Sequence, residues 1–235
     1  IKPMLTDQFA MGYFHNFNNN EVKVSAEAYY KILNGAADFE DGLHNYLVDN
    51  LEAYVATGQG LAYGFETSIE KPTGKFTGRL SYNYGKSDYK IDVINQGRWY
   101  PYRFDKTHSL TMLSNLQLTS NLSVSGTFLY STGRPVTLPE GYYHVSGIPF
   151  PYWEGRNKYR LPDYHRLDFG VKYSPNILKR WTRGYKTTID VSLYNVYDRR
   201  NIHTINFNQG QNRLFEQIGQ STYGFMPSIN INVEF

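Results

Sequence analysis

Tyr223-Gly224-Phe225-Met226-Pro227-Ser228-Ile229-Asn230-Ile231-Asn232-Val233-Glu234-Phe235 closes the chain. Phe225, Ile229, Ile231, Val233 and Phe235 share one parity, and Ser228, Asn230, Asn232 and Glu234 share the other. Successive side chains of an extended strand point to opposite faces, so this stretch presents one apolar and one polar face along its length. Such a strand suits a sheet with hydrocarbon on one side and water or a polar filling on the other.

The same alternation recurs upstream. Phe9, Met11 and Tyr13 are in phase, and the Asn-rich turn Asn16 to Asn20 follows. Val22, Val24, Ala26, Ala28, Tyr30 and Ile32 then alternate with Lys23, Ser25, Glu27, Tyr29 and Lys31, a period of two that disfavours helix. Further runs cover Leu61 to Ile69, Phe76 to Tyr84, Leu110 to Leu118, Leu122 to Tyr130, Leu167 to Tyr173 and Ile189 to Leu193. With the last stretch they make nine expected strands. Lys71-Pro72-Thr73-Gly74 and Thr119-Ser120-Asn121 read as tight turns. Asn34 to Gly58, Lys86 to Phe104, Gly133 to Tyr164 and Asp198 to Ser221 read as long loops, and a basic connection carries Lys179, Arg180, Trp181 and Arg183.

Only 40% of the 235 residues are hydrophobic, and 22 Tyr and 14 Phe dominate the apolar set. Mean hydropathy is −0.54. No run approaches the roughly 18 apolar residues of a membrane helix, which excludes a helical membrane protein but not a barrel. Cysteine is absent, which suits an oxidising location without requiring one. The net charge of +3 is small and scattered, so no nucleic-acid partner is expected.

Two regularities separate a membrane barrel from a soluble sheet. Lys23, Glu27, Lys31, Glu66, Arg79, Arg166, Asp168, Lys172, Asp190 and Glu234 all lie on the non-apolar phase, and only Asp7, at a strand end, breaks the pattern. A charge facing lipid costs roughly 2–4 kcal/mol at mid-bilayer, so a barrel must obey this rule on every strand. Connections also alternate short and long, as periplasmic turns and external loops do. The expected fold is therefore all-β, a transmembrane antiparallel β-barrel, with Tyr13, Tyr82, Tyr84, Tyr130, Tyr173 and Phe235 in its interfacial girdles. An odd strand count cannot close a bacterial single-chain barrel, so residues 1–235 are expected to be the C-terminal part of a larger one.

Seven segments, in order, resemble the C-terminal barrel portion of TonB-dependent outer-membrane receptors. They are Ala26-Glu27-Ala28-Tyr29-Tyr30-Lys31, Gly64-Phe65-Glu66, Asp105-Lys106-Thr107-His108-Ser109-Leu110, Thr132-Gly133-Arg134-Pro135, Leu161 to Asp168, Tyr194 to Asn201 and Pro227 to Phe235. The likeness is greatest to the Bacteroidetes type, whose precursor carries a carboxypeptidase-regulatory-like domain ahead of the plug. It implies a plugged barrel of about 22 strands of which this chain supplies the last nine. It also implies outer-membrane residence, energised import of an external ligand through the TonB-ExbB-ExbD complex, and no cofactor. Further implied partners are the rest of the barrel and plug, the lipid bilayer and the barrel-assembly machinery, with a surface lipoprotein as a possible lid. Phe235 looks like the assembly signal of that family, and equally like a last lipid-facing aromatic. The family's plug and TonB box have no counterpart in these residues.

Candidate chemistry is sparse. His165-Arg166-Asp168, and Asp105 with His108, contain acid–base partners. Arg166 and Asp168 share one phase two residues apart, where an ion pair bracing the wall is the ordinary outcome. The six histidines show no close metal-ligand spacing, though His144, His165 and His203 lie in or beside loops that could converge. Binding is expected in two aromatic–guanidinium clusters, Arg98, Trp99 and Tyr100, and Tyr152, Trp153 and Arg156, with Tyr142 and His144 beside them. Lys23, Glu27, Glu66, Arg79, Arg166, Asp168 and Lys172 would face a lumen or plug. Ligand import is the leading expectation. A structural or adhesive barrel with ligand-binding loops and an outer-membrane hydrolase are the rivals.

Overall fold

The structure, a computed structural model, describes residues 3–41, 50–175, 186–209 and 215–234. Its strands are β1 (Leu5–Phe17), β2 (Val22–Phe39), β3 (Val55–Lys71), β4 (Phe76–Lys90), β5 (Tyr100–Pro101), β6 (His108–Thr119), β7 (Leu122–Ser131), β8 (Pro135–Val136), β9 (Gly141–Val145), β10 (Ile148–Tyr152), β11 (Tyr159–Arg160), β12 (Tyr164–Tyr173), β13 (Lys186–Tyr194), β14 (Ile202–Gln209), β15 (Phe215–Ser221) and β16 (Met226–Glu234). One hydrogen-bonded path runs β1-β2-β3-β4-β6-β7-β12-β13-β16. Every neighbour on it is antiparallel. These are the nine strands that the alternation picks out, in chain order.

Register joins their apolar phases into continuous rows. His15, Val24, Ile69, Leu80, Met112, Phe128 and Leu167 face one another strand by strand. Phe76, Leu116, Val124, Val171, Val191 and Ile229 form another such row. A one-residue slip at any pairing would throw a strand's polar set onto this face, so the period-two pattern and the register specify each other. None of the described residues covers the face: Met11 is 80% and Ile229 71% exposed. An apolar surface this extensive needs a partner, and lipid is the partner a barrel wall supplies. Asp7 falls on this phase opposite Ile32, near the start of β1.

The connections hold more structure than their composition suggests. Gly35 takes φ +84 at an irregularity between Asn34 and Ala36, a bulge that shifts the phase of β2 and lets it continue to Phe39. Both ends of the loop expected over Asn34 to Gly58 are therefore strand, to Phe39 and from Val55. Within the expected loop from Gly133 to Tyr164, β9 and β10 form a hairpin through Ser146 and Gly147, both at positive φ as a type I′ turn requires. β8 pairs with β11 in the same segment, β5 pairs with β4, and β14 pairs with β15 in the last long connection. The expected basic connection with Trp181, and the expected signal residue Phe235, lie outside the described residues.

A conventional buried core forms at the long-loop end. Ala36, Tyr89, Ile91, Ile94 and Tyr100 are buried together, with Leu33, Ala56 and Tyr102 packed against them. There β2, β3 and β4 outrun their neighbours. Leu33, Gly60 and Tyr89 pair in one row on the polar phase, and Tyr100 pairs with Tyr89, so the connection after β4 folds over the inner side of the extended strands. A Cβ at Gly58 would strike the Lys90 carbonyl and Ile91, which makes glycine necessary for that closeness.

Candidate functional site

Two loop clusters that are far apart in sequence meet at the long-loop end. A cavity of about 290 Å³ is lined by Arg98, Trp99, Tyr100, Asn95, Glu154 and Arg156, among others. Its members differ in role. Tyr100 is 1% exposed and its hydroxyl donates to Asp38 Oδ2 at 3.2 Å, so it is a core residue, not the binding group expected. Burial, reinforced by the Asp38 charge, pushes its phenol well above the ordinary tyrosine range, so it remains a donor. Arg156 is committed too: Nη2 lies 3.0 Å from Asp38 and Nη1 3.2 Å from Asp41. Arg98 and Trp99 remain exposed. Lys158 closes the rim between Glu140 (2.6 Å) and Glu154 (2.7 Å), hydrogen bonds that raise its ammonium above the usual lysine range.

Tyr142, His144, Tyr152 and Trp153 do not line that cavity. Tyr142, His144 and Tyr152 sit on the β9–β10 hairpin, where Tyr143 stacks on Phe150 at 5.7 Å, and all four are exposed.

The acid–base candidates hold loops to strands. Asp105 is 4% exposed, accepts from the Ser87 amide at 2.8 Å and the Thr107 hydroxyl at 3.3 Å, and pairs with Arg160. Asp163 accepts from the Tyr130 hydroxyl at 2.7 Å and the Gly133 amide at 3.1 Å. Asp168 pairs with Arg166 at 2.9 Å and takes the Asn195 amide at 2.9 Å, and Asn201 bonds both the amide and the carbonyl of His165. His108 bonds Tyr82 and His165 bonds Tyr197, each at 2.8 Å, so neither histidine is paired with the acid expected beside it. Among the described residues no group of three metal-ligating side chains forms, and His144, His165 and His203 do not make one. His44 lies outside the described residues.

A second concavity was not singled out by sequence. Two cavities of about 640 and 330 Å³ share Phe104, Arg134, Leu161 and His203. Lys106 lines the larger and Arg103 the smaller. Arg103 and Arg134 lie 4.6 and 5.9 Å from the Phe104 ring. The available signal was the dense basic-aromatic run Arg103-Phe104-Asp105-Lys106, but Arg134 and His203 reach it only through the fold.

No family model and no curated protein sequence matches the chain. Solved structures do. The pyoverdine outer-membrane receptor FpvA of Pseudomonas aeruginosa superposes with a TM-score of 0.66 at 15% identity, covering 100% of this chain and 30% of that one. The siderophore receptor PiuA of Acinetobacter baumannii gives 0.60 at 15% identity, with 96% and 28% covered. The outer membrane transporter YddB of Escherichia coli gives 0.60 at 15% identity, with 100% and 33% covered. The fold is that of an outer-membrane receptor barrel. The chain spans about a third or less of the receptors it matches.

In a receptor barrel the polar side of the wall is the lumen side. Lys23 faces Glu70, which faces Arg79, and Glu27 faces Glu66, all on that side. Arg166 and Asp168 share it, as do Lys172 and Asp190, which pair across strands at 3.9 Å. Of the lumen candidates, only Arg166, Asp168 and Lys172 have ion-pair partners among the described residues.

Proposed function

We propose that this chain is the C-terminal wall of a TonB-dependent outer-membrane receptor that imports an external ligand. The observation that carries the reading is the pair of faces kept in register across nine strands, one apolar and uncovered, the other polar and charged. Such a wall needs lipid outside and a hydrated or filled lumen inside. The apolar side then meets the outer-membrane bilayer, and Lys23, Glu27, Glu66 and Arg79 meet a plug contributed by the rest of the protein. The plug couples to the TonB-ExbB-ExbD complex, which supplies the energy for import. The segments quoted above support the Bacteroidetes type in particular, since the family-wide fold does not discriminate among receptor types.

External ligands are captured at the long-loop end, where the exposed Arg98 and Trp99 and the aromatic β9–β10 hairpin stand above the membrane. The acid–base side chains are consumed in bracing the wall, which argues for binding without catalysis. Deleting the TonB box of the complete receptor is expected to abolish ligand-dependent growth while leaving the barrel in the membrane at normal abundance. Unchanged growth after that deletion would overturn the import reading and favour an adhesive barrel.

A further inference from the structure

Arg103, Lys106 and Arg134 converge on one concavity, and none has a carboxylate partner among the described residues. No Asp or Glu lines either of its two adjoining cavities, and the Asp38 that lines a third cavity beside Arg103 is held by Arg156 and Tyr100. Asp105, the carboxylate between Arg103 and Lys106, is buried and held by Arg160, Ser87 and Thr107. Arg134 spends one nitrogen, Nη2, on the His203 carbonyl at 2.7 Å, which aims the guanidinium and leaves its other donors available. Phe104, 49% exposed, carries both arginines within cation–π range of its ring.

Ser131 and Tyr164 also line the larger cavity, and they pair with each other and with Ser109 on the polar phase of the wall. The concavity therefore opens on the inner side, away from lipid, and is reached by soluble molecules rather than by lipid headgroups.

We propose that Arg103, Phe104, Lys106 and Arg134 form a binding site for a soluble anion, carboxylate or phosphate, carried on a flat body. The guanidiniums and ammonium bind the anionic group, and the free part of the Phe104 ring stacks the body. This assignment rests on the receptor reading above and specifies its ligand class.

Phenyl phosphate, inorganic phosphate and phenol are the probes, titrated calorimetrically into the complete receptor held in amphipol. Phenyl phosphate is expected to bind saturably and phenol not at all. Arg103→Gln and Lys106→Gln, at exposed side chains, are each expected to weaken phenyl phosphate about tenfold, the effect of one lost charge-assisted hydrogen bond. Phe104→Ala is expected to remove the advantage of phenyl phosphate over inorganic phosphate. Gel mobility before and after heating verifies that each variant is folded. Affinity unchanged in both folded cation variants would overturn the site, even in a receptor whose growth still requires its TonB box. Loss of TonB dependence with the tenfold effects intact would instead overturn import and leave the anion site standing.

Discussion

Asp163 sits where the longest connection rejoins the wall, and two hydrogen bonds define its state. The Tyr130 hydroxyl first, and the Gly133 amide second, hold its carboxyl below the ordinary aspartate range. A carboxylate whose folded pKa is depressed contributes stability fully above its unfolded pKa of about 3.9 and loses it as the pH falls through the lower folded value. Limited proteolysis between residues 133 and 163 is therefore expected to accelerate in wild type as the pH drops below about 4. In Asp163→Asn cleavage should already be faster at neutral pH and should lack that acid-dependent increase. An identical pH profile in both proteins would show that the latch carries no weight. Sequence reading at this scale recognised Arg166 and Asp168 as a bracing pair, because both partners lie on one strand. It gave no sign that Tyr100 and Arg156 are held by Asp38, because that partner is 62 and 118 residues away.

Strands were legible wherever alternation continued without interruption. The pattern ended early in β2 because Gly35 inserts a bulge, after which the same faces continue on shifted positions. The β9–β10 hairpin escaped because prolines alternate with aromatics in β10, although Ser146-Gly147 is a hairpin turn signal. Element-level energetics follow from the two faces. Phe169 lies mid-strand on the apolar phase opposite Gly126, while Ser125 beside it faces inward. Phe169→Arg is expected to destabilise the folded barrel by roughly 2–4 kcal/mol, and Ser125→Arg by much less, in reversible denaturation from lipid vesicles. Equal costs at the two positions would mean that the apolar face does not meet lipid.

At the scale of the molecule, the described sheet has two edges. β1 is exposed along all 13 residues, and β1 and β16 do not pair with each other among the described residues. An open edge of this length is a template for pairing, and a barrel satisfies it by closing. Residues 1–235 refolded alone are thus expected to show no heat-dependent gel mobility, the signature of a closed detergent-stable barrel. A compact, heat-modifiable 27.3 kDa species would show that this chain closes unaided. Among the described residues, the long-loop end carries the cavities in which loops converge, and a further cavity of about 440 Å³ lies against the wall beside the tight turn at Lys71 and Pro72.

By itself the sequence determined the nine strands of the main sheet path and their two faces, because side-chain alternation is a local property and a charge facing lipid is costly at mid-depth. Mid-strand charges lie on the polar phase, whereas Asp7, Lys71, Lys86, Asp88 and Lys90, towards strand ends, lie on the apolar one. Only the tertiary structure decided which loop charges are neutralised by distant partners. An arginine beside an aromatic reads the same whether a distant aspartate neutralises it, as Asp38 and Asp41 do for Arg156, or leaves it unpaired, as at Arg103. Compensation of charge is a contact across the fold, and spacing along the chain carries no record of it.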